Sequence, residues 1–287
     1  MNFHRLLPPA LLALLSLGLA GCVGLMGNRR HHEASSVVQF LYPDKNMPFI
    51  QPEIPTLRLP LRVGVAFIPA GMPDGRGAFY RVQANFTEQQ KTELMRKVAA
   101  QFKALPFVQS IEIIPTTYLR PGGGFENLDQ LRAMMGIDVI TLIAYDQSQN
   151  SSETEASIAY WTIVGAYIVP GQRNSTHTLM EAVVYDIRSR SLLFRAPGTS
   201  AVKNHTTLVR NDHELKKDSA AGIEEASAQM TANLAQELEL FKVRAREEPG
   251  TVKIEHKPGY TGGGRLDAWF AGLMALLLAG RFATTRK

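Results

Sequence analysis

The chain has 287 residues, 20% of them charged, a net charge of +5 and one cysteine, Cys22. A single cysteine excludes an intramolecular disulfide framework. Arg5 supplies +1 of the charge, and residues 265–287 (Arg265, Arg281, Arg286 and Lys287 against Asp267) supply +3, so residues 22–264 carry only +1. With no Lys/Arg cluster interleaved with aromatics, no nucleic-acid partner is expected.

The N-terminus places His4 and Arg5 before an apolar run over residues 6–20, interrupted by Pro8 and Pro9. The run is short for a membrane span, and residues 1–21 read as an export signal peptide. It ends in Leu19-Ala20-Gly21-Cys22, where two small residues precede a thiol. This resembles the lipobox of bacterial lipoproteins. The resemblance implies cleavage between Gly21 and Cys22 and a diacylglyceryl thioether on Cys22. Acylation would also remove the oxidation liability of a lone exported thiol. The aspartate associated with inner-membrane retention is absent at the next position, Val23. By that resemblance the mature protein moves on to the outer membrane of a Gram-negative envelope.

Residues 22–56 read as a tether, polar at first (Arg29, Arg30, His31, His32, Glu33) and then interrupted by Pro43, Pro48, Pro52 and Pro55. Residues 36–42 are more apolar than a linker requires, which leaves packing onto the domain open. One domain is expected over 57–246. Residues 61–68 form a compact β-branched strand ended by Pro69. A glycine-rich loop follows over 70–78. Thr87 and Gln90 form a capping box for a helix with Leu94, Met95, Val98, Phe102 and Leu105 on one face. Residues 107–114 are a second strand. After Pro121-Gly122-Gly123-Gly124 comes a short helix with a stripe of Leu128, Leu131, Met134 and Met135, stopped by Gly136. Residues 139–145 are apolar on both faces and predict a central strand.

Beyond residue 157 the pattern is strands alone: 158–169, then 178–187, a tight turn at Arg188-Ser189-Arg190, and a return over 191–195. A long helix over about 212–244 closes the domain, with Ile223, Ala226, Met230, Leu234, Leu238 and Phe241 as its stripe. The expected fold class is therefore α/β (α+β): three β–α alternations, then antiparallel strands and a closing amphipathic helix in one layered domain. The order is similar to small α/β domains of other bacterial envelope lipoproteins and periplasmic assembly factors, a fold analogy that transfers no function.

A linker is expected over 247–261, then a tripartite tail over 262–287: Gly262, Gly263 and Gly264, a greasy run over 266–280, and Arg281, Arg286 and Lys287 at the end. Fifteen residues make a helix of about 22 Å, marginal against a hydrocarbon core of about 30 Å. Extension to about 283 requires Arg281 to snorkel. The basic end predicts a cytoplasmic C-terminus. Each glycine costs about 1 kcal/mol in a helix, so three keep the membrane entry unwound and open to a protease. The tail resembles the GlyGly-CTERM sorting signal cut by rhomboid-type proteases called rhombosortases. Together with the lipobox, the chain resembles the rhombotail lipoprotein family. That resemblance implies cutting near Gly262–Gly264, loss of the transmembrane helix, and transfer to the envelope surface. A simple C-terminal anchor is the plainer alternative.

Catalytic signatures are weak. His31, His32 and Glu33 lie in the expected tether and are not preorganised for a metal. His205, Asp212 and His213 read as a helix-opening loop with Asp212 as N-cap. The glycines at 122–124 and 71–77 lack the Lys-Ser/Thr of a phosphate loop. Glu153 and Glu155 read as a solvated strand edge rather than an acid–base pair. Residues 158–169 fit a buried strand pair better than a membrane-touching hairpin. No catalytic residue, metal or cofactor is therefore expected. The expected function is a non-enzymatic binding or structural role at the outer membrane or cell surface. The expected partners are membrane lipid, the lipoprotein-processing enzymes, a rhomboid-type protease and an unidentified envelope protein. The alternatives are a surface-displayed hydrolase and an assembly factor for an envelope or secretion machine.

Overall fold

The computed structural model describes residues 29–43, 52–69, 86–103, 105–156, 168–248 and 250–260. The lipobox, the loop at 70–78, most of 158–169 and the whole tail lie outside the described residues.

The core of the fold is the predicted β–α–β–α–β run. Strand β3 (Leu61–Phe67) lies parallel to β4 (Val108–Ile114) on one side and to β5 (Val139–Glu153) on the other. Helix α2 (Glu88–Lys103) joins β3 to β4, and α3 (Gly124–Met135) joins β4 to β5. The winding reverses at β3, which puts α2 and α3 on opposite faces of the sheet. Strands β6 (Gln172–Asp186) and β7 (Ser191–Thr206) extend the sheet antiparallel, in the order β4-β3-β5-β6-β7. Helix α4 (Asn211–Glu247) then packs along it. The domain is thus a three-layered α/β fold.

Each layer follows from local sequence. Residues 139–145 are buried whichever face they point to, as a central strand requires. Val63, Val65, Val139, Ile143, Met180, Ala182 and Phe194 meet α2 and α4. Ala66, Ile140, Leu142 and Val183 meet α3. The capping box at α2 forms as expected: the Thr87 N–H donates to Gln90 Oε1 (2.9 Å) and the Gln90 N–H to Thr87 Oγ1 (3.3 Å). Gly136 ends α3 in the left-handed conformation, its N–H donating to the Arg132 carbonyl. The α3 stripe differs at its end. Phe125, Leu128 and Leu131 are buried and Met135 is partly buried beside them, while Met134 turns off this face and is 64% exposed.

The fold begins earlier than expected. Residues 29–43, read as tether, belong to the domain. Strand β1 (Arg29–Ala34) pairs antiparallel with β5 from Ala34↔Asp146 to Arg29↔Ser151. Helix α1 (Val37–Leu41) then buries Val37, Phe40 and Leu41 against α3. A polar strand such as Arg-Arg-His-His-Glu leaves no apolar trace, because its ladder is made by main-chain groups. The expected linker over 247–261 is likewise structured. Strand β8 (Lys253–His256) pairs parallel with β2 (Thr56–Leu59). Asp138 Oδ2 fastens this ribbon to the domain by accepting from Lys257 Nζ (3.0 Å) and the Arg62 N–H (3.1 Å). Three strands also outrun their predictions: β5 continues to Glu153, β6 starts at Gln172 and β7 reaches Thr206.

Candidate functional site

Helix α4 runs under the long strands and meets them in two chemistries. Its C-terminal two-thirds is apolar. Ile223, Ala226, Met230, Leu234 and Leu238 are buried against Met180, Ala182, Val184, Phe194 and Ala196, with Phe241 partly buried beside them. Backbones come close here: a Cβ on Gly198 of β7 would run into the Ala226 carbonyl and the Met230 main chain.

Toward its N-terminus the same interface is polar. Gln147 uses its full hydrogen-bonding capacity. Its Oε1 accepts from Ser219 Oγ (2.6 Å) and Tyr145 Oη (3.1 Å), and its Nε2 donates to Thr178 Oγ1 (2.8 Å) and the Ser219 carbonyl (3.2 Å). Gln149 Nε2 donates to the Leu215 carbonyl (2.7 Å) and Thr176 Oγ1 (3.2 Å). Asn211 Nδ2 donates to Ser151 Oγ (3.2 Å), and Asn204 Nδ2 to Asp218 Oδ1 (3.4 Å). Gly222 leaves room for this array, since a Cβ there would lie 2.6 Å from Thr178 Oγ1. Burial raises the Asp218 carboxyl above its ordinary value, opposed by the Asn204 hydrogen bond. Asn174, wholly buried and in register between Ser151 and Asn204, has neither amide atom paired within the protein. Gln147 is fully paired, while Asn174, Asn211 Oδ1 and Asp218 Oδ2 keep unpaired atoms, and the bonds that are made tie α4 to one register of the sheet.

The concave feature lies at the other end of α4. There the helix, the β2–β8 ribbon and the first residues of β3, β4 and β5 enclose an apolar cleft of about 350 Å³. Leu57, Leu59 and Ile254 come from the ribbon, Val63, Phe107 and Val139 from the sheet end, and Leu238 and Phe241 from α4. The charged groups lining it are Lys242 and Arg246. Lys242 Nζ is bound to the Glu239 carboxylate (2.8 Å to each oxygen), whereas Arg246 is exposed and unpaired among the described residues. A wider groove of about 480 Å³ adjoins it and shares Leu193, Phe241 and Ala245. Such a cleft holds apolar matter and presents cations at its mouth.

The remaining candidates disperse. Leu19, Ala20, Gly21 and Cys22, like Gly262, Gly263, Gly264, Arg281, Arg286 and Lys287, lie outside the described residues. His32 sits on β1 with Nε2 2.9 Å from Asp146 Oδ1. His205 is exposed on β7, and His213 is exposed on α4 with Nδ1 3.9 Å from Glu214 Oε1. Asp212 is not the N-cap. That position is Arg210, without a side-chain bond, and Asp212 lies in the first turn, where its charge suits the helix dipole. Gly122 and Gly124 face Pro43 and the Leu41 carbonyl, so the triple glycine seats α1. Glu153 ends β5, and Glu155 is exposed in the turn beyond. Among the described residues no three His, Cys, Asp or Glu side chains gather as a metal site, and no helix is long and apolar enough to cross a membrane. The cleft was not foreseen in the sequence. Its walls come from six separated segments, and the one local signal was the pair Lys242 and Arg246 beside the apolar stripe.

No family model and no curated protein matches the chain. Among solved structures it is similar to the PelC dodecamer from Paraburkholderia phytofirmans at 10% identity and a TM-score of 0.25, covering 73% of this chain and 96% of that one. It is also similar to a protein described as a neuraminyllactose-binding hemagglutinin homolog from Helicobacter pylori, at 9% identity and a TM-score of 0.32, covering 70% and 97%. Likeness at these scores carries no functional argument.

Proposed function

We propose that the chain is a lipid-anchored protein of the bacterial cell envelope, matured at both ends, whose domain binds an apolar group rather than catalysing a reaction. The apolar cleft at the C-terminal end of α4 carries the binding part of this reading. Its walls offer hydrocarbon, and its cations sit at the mouth rather than at a reacting centre. The sequence Leu19-Ala20-Gly21-Cys22 supports acylation of Cys22. Only residues 23–28 then separate the lipid from β1, so the domain is held close to the bilayer. The order of Gly262–Gly264, the apolar run and the basic end supports removal of the tail by a rhomboid-type protease. The mature form then resides at the outer membrane or cell surface.

Intact mass tests the processing. Protein extracted from outer membranes should carry an acylated Cys22 and end near Gly262–Gly264, and deletion of the rhomboid-type protease should retain the tail. A mature form still holding residues 266–287 sinks the sorting-tail reading. Cys22→Ala should free the domain into the periplasm once the tail is cut. If the tail persists, the variant stays in the inner membrane.

A further inference from the structure

We propose that the cleft takes a single acyl chain and that Arg246 holds its anionic headgroup, an assignment that rests on reading the domain as an envelope binding module. Three observations select this ligand chemistry. The walls are aliphatic and aromatic, with no interior polar group to orient a sugar or peptide, and the cations lie at the mouth. Basic residues in a last helical turn also suit the helix dipole. Arg246 differs in opening onto the cleft without an acidic partner, while Lys242 one turn earlier is held by Glu239. The border is itself apolar: Ile54 (53% exposed), Leu192 (49%) and Ile254 (46%) line this cleft and the groove beside it.

Position points the same way. Tyr260 Oη donates to the carbonyl of Pro106 (3.3 Å), a residue of the cleft wall. The expected membrane helix starts at Leu266, and residues 261–265 span at most about 17 Å. While the tail is uncut, the cleft mouth is held beside the bilayer surface. The tail helix itself is the wrong occupant: fifteen residues form a rod about 22 Å long and about 10 Å across, far larger than the cleft. Carboxylate and phosphate heads are equivalent to a guanidinium, so a free fatty acid and an anionic lysophospholipid share the required chemistry.

Photocrosslinking in membranes holding the full chain tests the assignment. Three diazirine probes are compared: palmitic acid, the alcohol of the same chain, and a compact neutral adamantane. The acid should label the peptides containing Phe107 and Phe241. Competition by unlabelled palmitate alone identifies a free fatty acid as the source, and competition by lysophosphatidylglycerol alone identifies a lysolipid. Arg246→Glu, at an exposed position, should cut the acid's labelling about fivefold, to the level of the alcohol, as expected for an exposed ion pair. Ala245→Trp, which fills the cleft from α4, should abolish it. Equal labelling by acid and alcohol, indifference to Arg246→Glu, or failure of both competitors overturns the acyl-anion assignment. Adamantane labelling that Ala245→Trp removes would then leave the binding-module reading standing. No cleft labelling by any probe overturns both.

Discussion

The two halves of the α4 interface use one helix and one sheet to opposite ends. From Ile223 onward the contact is made by side chains without polar atoms, and any close-packed arrangement of similar volume would be stabilised. From Asn211 to Gly222 it is made by Gln147, Gln149, Ser151, Thr178 and Ser219, whose bonds require one register. Hydrogen bonds exchanged with water add little net stability, but each is costly to leave unmade. The apolar half therefore supplies the free energy and the polar half the alignment. Hydrogen exchange should show amides of residues 211–222 opening more readily than those of 223–241.

Substitutions can break this contrast. Met230→Ala, at a wholly buried site, should cost about 4 kcal/mol in chemical denaturation. Gly198→Val should cost about 3 kcal/mol and shift α4 away from β7, because main chain and not a side-chain tip blocks the new atoms. Gln147→Ala should cost about 2 kcal/mol by stranding Thr178 and Ser219. A loss equal to that of Met230→Ala would show that the polar half also carries stability. Asp218 sharpens the comparison through pH. Its folded pKa lies above the unfolded value, so the folded state keeps the proton longer and stability falls as pH rises through that window. Asp218→Asn retains the acceptor for Asn204 and should remove that fall. Its melting temperature should exceed the parent's by a few degrees at pH 7 and match it near pH 3.

The sequence made the apolar elements legible and hid the polar ones. The run at 139–145 announces itself by unbroken apolarity and the α2 and α4 stripes by period, and they are buried as expected except for Phe241 and for Leu105, which lies past the end of α2, both partly buried. The continuation of β5 through Gln147, Gln149 and Ser151 alternates inward and outward, but its inward residues are polar, so hydrophobicity could not reveal a buried face. Strand β1 left no trace because its pairing to β5 is made by main-chain groups. The ribbon of Thr56–Leu59 and Lys253–His256 failed because its partners are nearly 200 residues apart. The cleft inherited that blindness, since the ribbon forms one of its walls.

Strand β5 has a mechanical consequence. The segment leading from Cys22 enters through β1 near Ser151, and Tyr260 leaves beside Pro106, near Val139 at the opposite end, about 40 Å away for twelve residues of extended chain. Under the processing proposed above, both tethers of the precursor would draw on the ends of one stiff rod, and the domain would lie flat. Removal of the tail would release one end only. The domain would then swing about its lipid like a mast stepped at its foot, and the cleft would gain a reach of several nanometres from the bilayer.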